Sequence, residues 1–327
     1  MRDIFETAPS PHIRDSRTVD SIMWDVVVAL IPVMIASTYF FGIAAMRLMV
    51  VSTLSALIFE AAVLKKNRTS LRNFLGDGSA ATTGMLLGLS LPPVIGTEAG
   101  YLWVSVLGSA VAILIGKHLF GGLGRNPFNP ALVGRAFLVI AYPDIMASLW
   151  IVPGIDGITG ATPLRMEMQQ YSLLQMFLGD IPGSLGETSA LAILLGGAYL
   201  LAKKHIDWRI PGGFLGAMAL VAVLHTAGYR GVNADLAQNA AREVLFQWFT
   251  GTAFLAAFFF ATCYVTSPTT PNGRLYYGIG CGLLIILIRY YGRLPEGAFF
   301  AILLMNALTP LIDRCTVPRT FGEAGFR

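Results

Sequence analysis

Residues 22–43 read IMWDVVVALIPVMIASTYFFGI, an apolar run in which Asp25 is the one charged side chain. An α-helix needs about 20 such residues to cross the hydrocarbon core of a bilayer. The run therefore predicts a membrane-spanning helix. The whole chain has the same character, because 55% of its 327 residues are hydrophobic and 13% are charged. Soluble domains carry about 25% charged residues, so the composition is that of a membrane protein.

Beyond this first run, apolar stretches alternate with polar or Gly/Pro breaks along almost the whole chain. The pattern predicts an all-α membrane protein with about ten transmembrane helices. Two stretches are short and interrupted, one by Pro92-Pro93 and one by the preceding GGLGRNPFNP at residues 121–130. Broken helices at membrane depth usually line a cavity. The ten predicted spans are 22–43, 45–64, 79–95, 100–119, 129–142, 187–203, 211–228, 246–265, 274–291 and 296–313.

The spans fall into two halves of five, residues 22–142 and 187–313, joined by a long loop at 143–186. Because five is odd, the second half must enter the membrane from the opposite side. This is the arrangement of inverted repeats with a binding site near the midplane. A polar arm, 1–21, precedes the first half, and a tail, 314–327, follows the second. The arm lacks the features of a secretory signal, so we expect it to stay in the mature protein.

Positive charge predicts the orientation of the chain in the membrane. With the N terminus in the cytoplasm, sixteen of the 23 Lys and Arg lie inside and six lie outside, while Arg135 falls within the fifth span. Both termini are then cytoplasmic. The loop 143–186, which carries four acidic residues and one Arg, is external. The net charge of +4 is explained by basic residues at helix ends and does not indicate nucleic-acid binding.

The external loop contains the most informative segment, DGITGAT at residues 156–162, which Pro163 follows. The small neighbours Gly160 and Ala161 leave the Thr162 hydroxyl accessible, and Pro163 biases Thr162 toward an extended backbone. An extended, unhindered Thr is one that a modifying enzyme could bind. The same residues also suit an ordinary Gly/Pro turn in which hydroxyl groups bond nearby amides.

The segment matches the D-G-x-[ST]-G-A-T pattern on which a flavin transferase attaches FMN by a phosphodiester bond. The chain resembles the Rnf D family of ion-translocating electron-transport complexes. It is also similar to the B subunit of the sodium-translocating NADH:quinone reductase, which typically has a longer N-terminal extension. The likeness extends from residue 10 to residue 320. Further matching segments are SPHIR (10–14), GGLGRNPFNPALVGRAF (121–137), IPGSLGE (181–187), YVTSP (264–268) and PEG (295–297).

The resemblance implies a covalent FMN on Thr162, with Asp156, Thr159, Gly160 and Ala161 recognised by the transferase or lying near the flavin phosphate. It also implies an electron-carrying subunit, not catalytic alone, of a bacterial inner-membrane complex that couples ferredoxin and NAD to transport of Na⁺ or H⁺. The implied partners are the other subunits of the complex, above all a flavin-carrying subunit on the external side. The flavin transferase and membrane lipid are also implied as partners.

The resemblance further implies a non-covalent riboflavin between the two halves, near the broken helices. Asn126 and Asn129 are the candidate contacts, since a carboxamide can donate to a flavin carbonyl and accept from its ring N–H. Gly124, with Gly121 and Gly122, would let a flat ring approach the backbone. Alternatively, both Asn side chains cap the fifth helix and bond backbone groups that the prolines leave free. The sequence agrees with either interpretation.

Glu60 and Asp313 are candidates for an ion path, because charged residues near the membrane interior often mark one. The alternative is that both form interfacial ion pairs, Glu60 with Lys65 or Lys66 and Asp313 with Arg314 or a neighbour. At Cys263 many relatives carry Asp instead. This difference weakens any ion or proton role carried over to that position.

The four histidines and three cysteines show no ligand spacing for haem, metal or an iron–sulfur cluster. The chain also has no NAD fingerprint. The rival function is a small-solute channel or transporter of urea-channel-like architecture, since an inverted five-plus-five bundle with midplane breaks suits such a pore. A pore would not need the DGITGAT segment, so we favour the electron-transfer function.

Overall fold

The structure is a computed structural model that describes residues 18–66, 76–97, 99–147, 150–151, 159–160, 164, 171–187, 189–230, 235–292 and 297–318. These residues are helical apart from connecting segments and one short strand pair. Most of the DGITGAT segment, including Asp156, Ala161 and Thr162, lies outside the described residues. So do most of the N-terminal arm and residues 319–327 of the tail.

The first half consists of helices of very different length. The helix α4 (Leu102–Ala110) is extended at both ends by other helical forms. A 3₁₀ turn at Ala99–Tyr101 precedes it, and a π-helix at Val111–His118 follows it without a break. The helices are α1 (Val19–Lys66), α2 (Ser79–Ser90), α3 (Val94–Thr97), α4 (Leu102–Ala110), α5 (Pro130–Ala141) and α6 (Pro143–Ala147).

The connecting loop holds strands β1 (Trp150–Ile151) and β2 (Thr159–Gly160), which pair antiparallel, and the short helix α7 (Leu173–Leu178). The second half follows, and a π-helix at Ala256–Phe260 continues its fourth helix. The helices of this half are α8 (Ala190–Ala202), α9 (Arg209–Arg230), α10 (Leu236–Phe249), α11 (Ala253–Leu255), α12 (Pro271–Tyr291) and α13 (Ala298–Thr316).

Helix α1 is two helices joined at Gly42, where φ is 62° and ψ is −146°. Residues other than glycine rarely adopt this conformation. Both parts of α1 line one apolar groove of about 670 Å³, and α1 packs on α2. The chain therefore folds back at Gly42, which lies where the sequence separates its first two predicted spans.

Four helices of the described part are long and apolar enough to cross a bilayer, and two further helices bent by 68° could form a fifth crossing together. The other helices in the described ranges are shorter than a span. The protein is therefore a multi-pass membrane protein, whereas the ten-span inverted repeat stays a prediction. The four long segments are Val19–Lys65, Arg209–Gly228, Pro271–Tyr291 and Ala298–Thr316, and the bent pair is Leu236–Phe249 with Ala253–Phe260.

The bent pair differs from the single span predicted at residues 246–265. Helix α10 begins at Leu236, ten residues earlier, and ends at Phe249, after which Gly251 has a φ of 63° and turns the chain. The apolar run is continuous through this point in the sequence. Hydropathy therefore missed a break that depends on the backbone of one glycine.

Residues 181–186 also differ from the sequence-based prediction, which placed them in an external loop. They are buried, and their amide groups are bonded by the end of α2: Gly186 N donates to Leu89 O at 2.6 Å and Leu185 N donates to Leu91 O at 3.3 Å. Irregular backbone at membrane depth requires such partners. This segment is therefore part of the helix bundle.

Candidate functional site

A cavity of about 70 Å³ lies between the two halves. Helices α1 and α2 and the loop before α5 line it from the first half, and the segment 259–265 lines it from the second. Its polar lining includes Ser79, Lys117, Asn126 and Asn129. The two candidate asparagines thus face a common space, in the region where the resemblance implies a riboflavin.

Asn129 is 3% exposed and both ends of its carboxamide are already bonded. Its Oδ1 accepts from Ala131 N at 3.1 Å, and so caps α5, which begins with Pro130. Its Nδ2 donates to Phe260 O at 3.2 Å, at the end of the π-helix in the second half. Of the two alternatives for Asn129, the structure shows the helix cap, together with a tie between the halves.

Asn126 differs from Asn129. Its Nδ2 donates to Phe128 O at 3.0 Å, while its buried Oδ1 finds no hydrogen-bond partner among the described residues. A buried polar atom without a partner costs about 1–3 kcal/mol. The Oδ1 atom on the cavity wall therefore fits a ligand or water that donates a hydrogen bond.

The glycines before Asn126 have a structural reason of their own. Gly121, Gly122 and Gly124 have φ values of 108°, 94° and 86°, in the region that favours glycine. A side chain on Gly124 would meet nothing within 4 Å. The backbone conformation accounts for these three glycines whether or not a ring approaches them.

The size of the cavity limits what it holds in this conformation. Pockets that enclose ligands of moderate size have volumes of about 300–1,000 Å³, and this cavity has about 70 Å³. The Asn126 Oδ1 acceptor suits a flat ring with N–H donors at its edge, but the cavity is too small to hold one as it stands. The volume requires the lining side chains to move apart when such a ring enters.

Glu60 is fully buried beside this cavity and has two partners from the end of the π-helix. Lys117 Nζ lies 2.8 Å from Glu60 Oε1, and His118 Nε2 lies 2.8 Å from Oε2. The side chain of Lys117 is 2% exposed and that of His118 is 13% exposed. The sequence suggested Lys65 or Lys66 as the partner, but the structure pairs Glu60 with residues more than fifty positions away.

The network continues from Lys117 to the start of α2. Lys117 Nζ donates to Ser79 Oγ at 2.7 Å, and Ser79 Oγ donates to Asp77 Oδ1 at 2.6 Å. All of these side chains except His118 are less than a tenth exposed. Buried charges are tolerated when they are paired and hydrogen-bonded. The sequence analysis missed Lys117 and His118. Two adjacent ionisable residues at the end of an apolar span could have indicated them.

Asp313, the second acidic candidate, lies in another environment. Its Oδ1 accepts from Thr269 N at 2.9 Å and from Thr270 N at 3.5 Å, just before α12. No ion pair joins it to Arg314 within the described ranges. The carboxylate therefore binds backbone at the start of a helix, where the macrodipole favours negative charge.

The chain is anchored on both sides of Thr162. Before it, Ile151 and Thr159 are paired residues in the strands β1 and β2. After it, Leu164 packs on an apolar cluster that includes Met176 and Phe246. The described residues nearest to Thr162 on each side are thus fixed, one group by strand pairing and Leu164 by packing near the end of α10.

Gly251 lies close to both the Leu164 side chain and the guanidinium group of Arg289. A Cβ atom on Gly251 would lie 2.8 Å from both Leu164 Cδ1 and Arg289 Nη2. Arg289 also donates to Gln247 O at 2.6 Å and to Thr250 O at 2.8 Å, and so caps the end of α10. A guanidinium group therefore lies beside the chain two residues after Thr162.

Comparison with known proteins gives a match along nearly the whole chain. Residues 6–322 match the model of the NQR2, RnfD, RnfE family. The chain is 40% identical over 320 residues to the D subunit of the Na⁺-translocating ferredoxin:NAD⁺ oxidoreductase complex of Acetobacterium woodii, covering 96% of this chain and 94% of the relative. It is 38% identical over 336 residues to the D subunit of the proton-translocating ferredoxin:NAD⁺ oxidoreductase complex of Clostridium ljungdahlii, covering 98% and 97%.

A third relative is named without a specified ion or electron donor. The D subunit of the ion-translocating oxidoreductase complex of Aeromonas salmonicida is 36% identical over 360 residues, covering 98% of this chain and 99% of the relative. These likenesses cover almost the full length on both sides. The chain therefore belongs to the NQR2, RnfD, RnfE family, and these three relatives are D subunits of ion-translocating oxidoreductase complexes.

Proposed function

We propose that the chain is the D subunit of an ion-translocating ferredoxin:NAD oxidoreductase complex and carries electrons through FMN bound covalently to Thr162. The observation that carries the proposal is the DGITGAT segment at 156–162 in a chain similar along its whole length to D subunits. The FMN supplies one- and two-electron chemistry that no side chain of the protein offers. The chain works as part of a complex, and the catalysis belongs to the whole assembly.

The surroundings of Thr162 support attachment of a cofactor there. The strand pair before it and the packing of Leu164 after it would hold the attachment point beside the bundle. Arg289 would place positive charge near a flavin phosphate, for which guanidinium groups are well suited. Thr159 and Gly160 lie in β2, so we assign them, with Asp156 and Ala161, to recognition by the transferase or to the phosphate side.

The proposed topology is ten spans in an inverted five-plus-five repeat, with both termini cytoplasmic and the flavin loop external. The sixteen-to-six charge asymmetry and the fold-back at Gly42 support it. In this topology a flavin-carrying subunit would meet the loop on the external side. The other partners would be the remaining subunits, the flavin transferase and membrane lipid.

We assign the second, non-covalent flavin to the cavity between the halves. Support comes from Asn126, whose buried Oδ1 needs a donor. The role of Asn129 in this proposal changes, because its carboxamide is used as a helix cap and a tie to Phe260. The rival function, a small-solute pore, gives no reason for the DGITGAT segment.

A denaturing gel viewed under ultraviolet light tests the covalent attachment. We expect fluorescence at the band of this protein, and we expect Thr162→Val to abolish it, because valine keeps the shape but lacks the attachment oxygen. Thr97→Val is the matched control, since it removes an exposed threonine hydroxyl outside the DGITGAT segment. Fluorescence that survives in Thr162→Val would refute the proposed function.

A further inference from the structure

Glu60 is the middle of a chain of close polar contacts that links the partly exposed His118 to the cavity. Successive distances are 2.8 Å from His118 Nε2 to Glu60 Oε2, 2.8 Å from Oε1 to Lys117 Nζ, and 2.7 Å from Nζ to Ser79 Oγ. The two contacts of Lys117 Nζ are hydrogen bonds, whereas His118 Nε2 and Glu60 Oε2 form a close ion-pair contact in which the N–H is not aligned for a hydrogen bond. A small turn of the imidazole ring would align it, and catalytic hydrogen bonds are often poorly aligned until the protein is at work. The His118 side chain keeps 13% of its surface exposed, while Lys117 and Ser79 line the cavity.

We propose that His118, Glu60 and Lys117 form a relay that carries protons between the protein surface and the central cavity. The inference rests on the proposed function, in which ions move with electrons. It assigns roles to Lys117 and His118, and it identifies the ion that moves along this path as H⁺.

The arrangement of atoms around Glu60 favours a proton over a metal cation. Both carboxylate oxygens already face nitrogen atoms, one on Lys117 and one on His118. A hard cation needs several oxygen ligands at once. The Lys117 ammonium lies between the oxygens of Glu60 and Ser79, where a cation would have to sit. A proton needs no such cage, only donors and acceptors in sequence.

The relay balances in charge and atoms. Lys117 Nζ gives a proton to a basic oxygen or nitrogen in the cavity, water included, and becomes a neutral amine. The imidazolium form of His118 then gives its Nε2 proton to Glu60 Oε2. The carboxyl group turns about its Cγ–Cδ bond and passes the proton to Lys117, and His118 takes another proton from water. Each cycle moves one proton and restores all three side chains.

Among the described residues, few other charges face Glu60. Glu60 faces Lys117 and His118 from the π-helix and, through Ser79, the carboxylate of Asp77 before α2. The exposed Lys65 follows on its own helix. A π-helix is often found at functional sites, and here Lys117 and His118 are consecutive residues at its end that both reach Glu60.

The test uses the complete complex in proteoliposomes, with proton movement followed by a pH-sensitive dye and Na⁺ movement by a radioactive tracer. We expect Glu60→Gln and His118→Gln to lower the rate of proton movement by about 100-fold, the low end of what a positioned acid or base contributes to a rate. His225→Gln is the matched control, because His225 stacks on Tyr290 away from the relay. Unchanged proton movement in His118→Gln would overturn the proposal. Uptake of the Na⁺ tracer that continues in the presence of a protonophore would also overturn it, because Na⁺ would then be the ion that is moved directly.

Infrared spectra of the purified protein provide a readout independent of turnover. Difference spectra between the oxidised and the reduced complex at constant pH should contain a carboxylic C=O band that Glu60→Gln lacks, whereas a purely structural ion pair would keep Glu60 ionised in both states and give no such band. The double variant Glu60→Gln/Lys117→Met removes both charges together and guards against misfolding from one unpaired buried charge. If neither assembles, His118→Gln decides, since it keeps the Glu60–Lys117 pair. Gel fluorescence of the covalent flavin reports separately on the proposed function.

Discussion

The Asn129 side chain donates from Nδ2 to the Phe260 carbonyl, 3.2 Å away, and so connects the start of α5 in the first half with the end of the π-helix in the second. The same side chain caps α5 through Oδ1. One side chain thus bonds two backbone groups that lack helical partners: the Ala131 amide at the start of α5 and the Phe260 carbonyl at the end of the π-helix. Asn129 also lines the cavity between the halves.

Asn129→Ala should destabilise the bundle. It removes a helix cap worth about 1 kcal/mol and leaves the buried Phe260 carbonyl without its partner, at a further cost of about 1–3 kcal/mol. Asn129→Ser should cost less, because serine keeps the cap but is too short to reach Phe260. Thermal unfolding in detergent measures the order. Equal melting temperatures for the wild type and Asn129→Ala would contradict the assignment.

Asn126→Leu should have the opposite profile. Leucine removes a buried oxygen without a partner, so we expect little loss of thermal stability. It also removes the acceptor that we assign to the second flavin, and one neutral hydrogen bond contributes about 1 kcal/mol net. Extractable riboflavin per covalent FMN should therefore fall several-fold, while Asn129→Ser keeps the ratio. A constant ratio together with a lowered melting temperature would give Asn126 a structural role only.

Asp207 predicts a pH dependence of stability on the loop between α8 and α9. Desolvation alone would raise the pKa of Asp207, but the hydrogen bonds from the Arg209 backbone and the Arg274 side chain, with the charge of Arg209, outweigh it and hold the pKa below its ordinary value of about 3.9. A depressed pKa stabilises the folded state above the ordinary value, and the contribution is lost as pH falls through the folded-state pKa.

Asp207→Asn should therefore lower the melting temperature at pH 7 and at pH 5 by about 2–4 °C, the shift that roughly 1 kcal/mol produces in a protein of moderate size. The difference should be smaller at pH 3, below the ordinary pKa of an aspartate, because the unfolded chain takes up a proton there that the folded carboxylate resists. Thermal unfolding of both proteins at the three pH values checks this. A difference that grows toward pH 3 would reverse the sign and reject the argument.

Some of this architecture follows from local sequence. Gly42 divides the first two spans because a glycine is needed where the backbone adopts a positive φ. Pro130 begins α5 because a proline suits the first turn, and Asn129 precedes it as a cap. Both features depend on residues that are adjacent in the chain, so the local amino-acid sequence is enough to locate them.

The partners of Glu60 could not be read in the same way. Lys65 lies within reach along the helix, but the packing of the π-helix against α1 brings Lys117 and His118 closer. Such a pairing depends on how distant elements meet, which periodicity does not encode. The burial of residues 181–186 is similar, because it depends on the carbonyl groups at the end of α2.

Gly251→Ala should reduce flavin attachment without unfolding the helix bundle. The new Cβ would lie 2.8 Å from Leu164 Cδ1 and Arg289 Nη2, at a φ of 63° that alanine adopts at a cost of about 1–2 kcal/mol. The Leu164 side chain and the Arg289 guanidinium group would have to shift, which would disturb the packing two residues after Thr162. Covalent fluorescence per protein should fall, while Gly216→Ala, which meets nothing within 4 Å, should match the wild type. Normal fluorescence in Gly251→Ala would show that this contact does not position the segment.

The orientation of the chain gives the last prediction, because the charge asymmetry places α7 outside and the tail inside. Leu174 is 66% exposed on α7, and Cys315 is an exposed native cysteine near the end of α13. In intact cells, Leu174→Cys should react with an impermeant thiol reagent, whereas Cys315 should react only after the membrane is opened. A Cys315→Ser background separates the two signals, and the buried Cys281 should stay unlabelled in both conditions. Labelling of Cys315 but not of Leu174→Cys in intact cells would invert the topology and move the flavin loop to the cytoplasmic side.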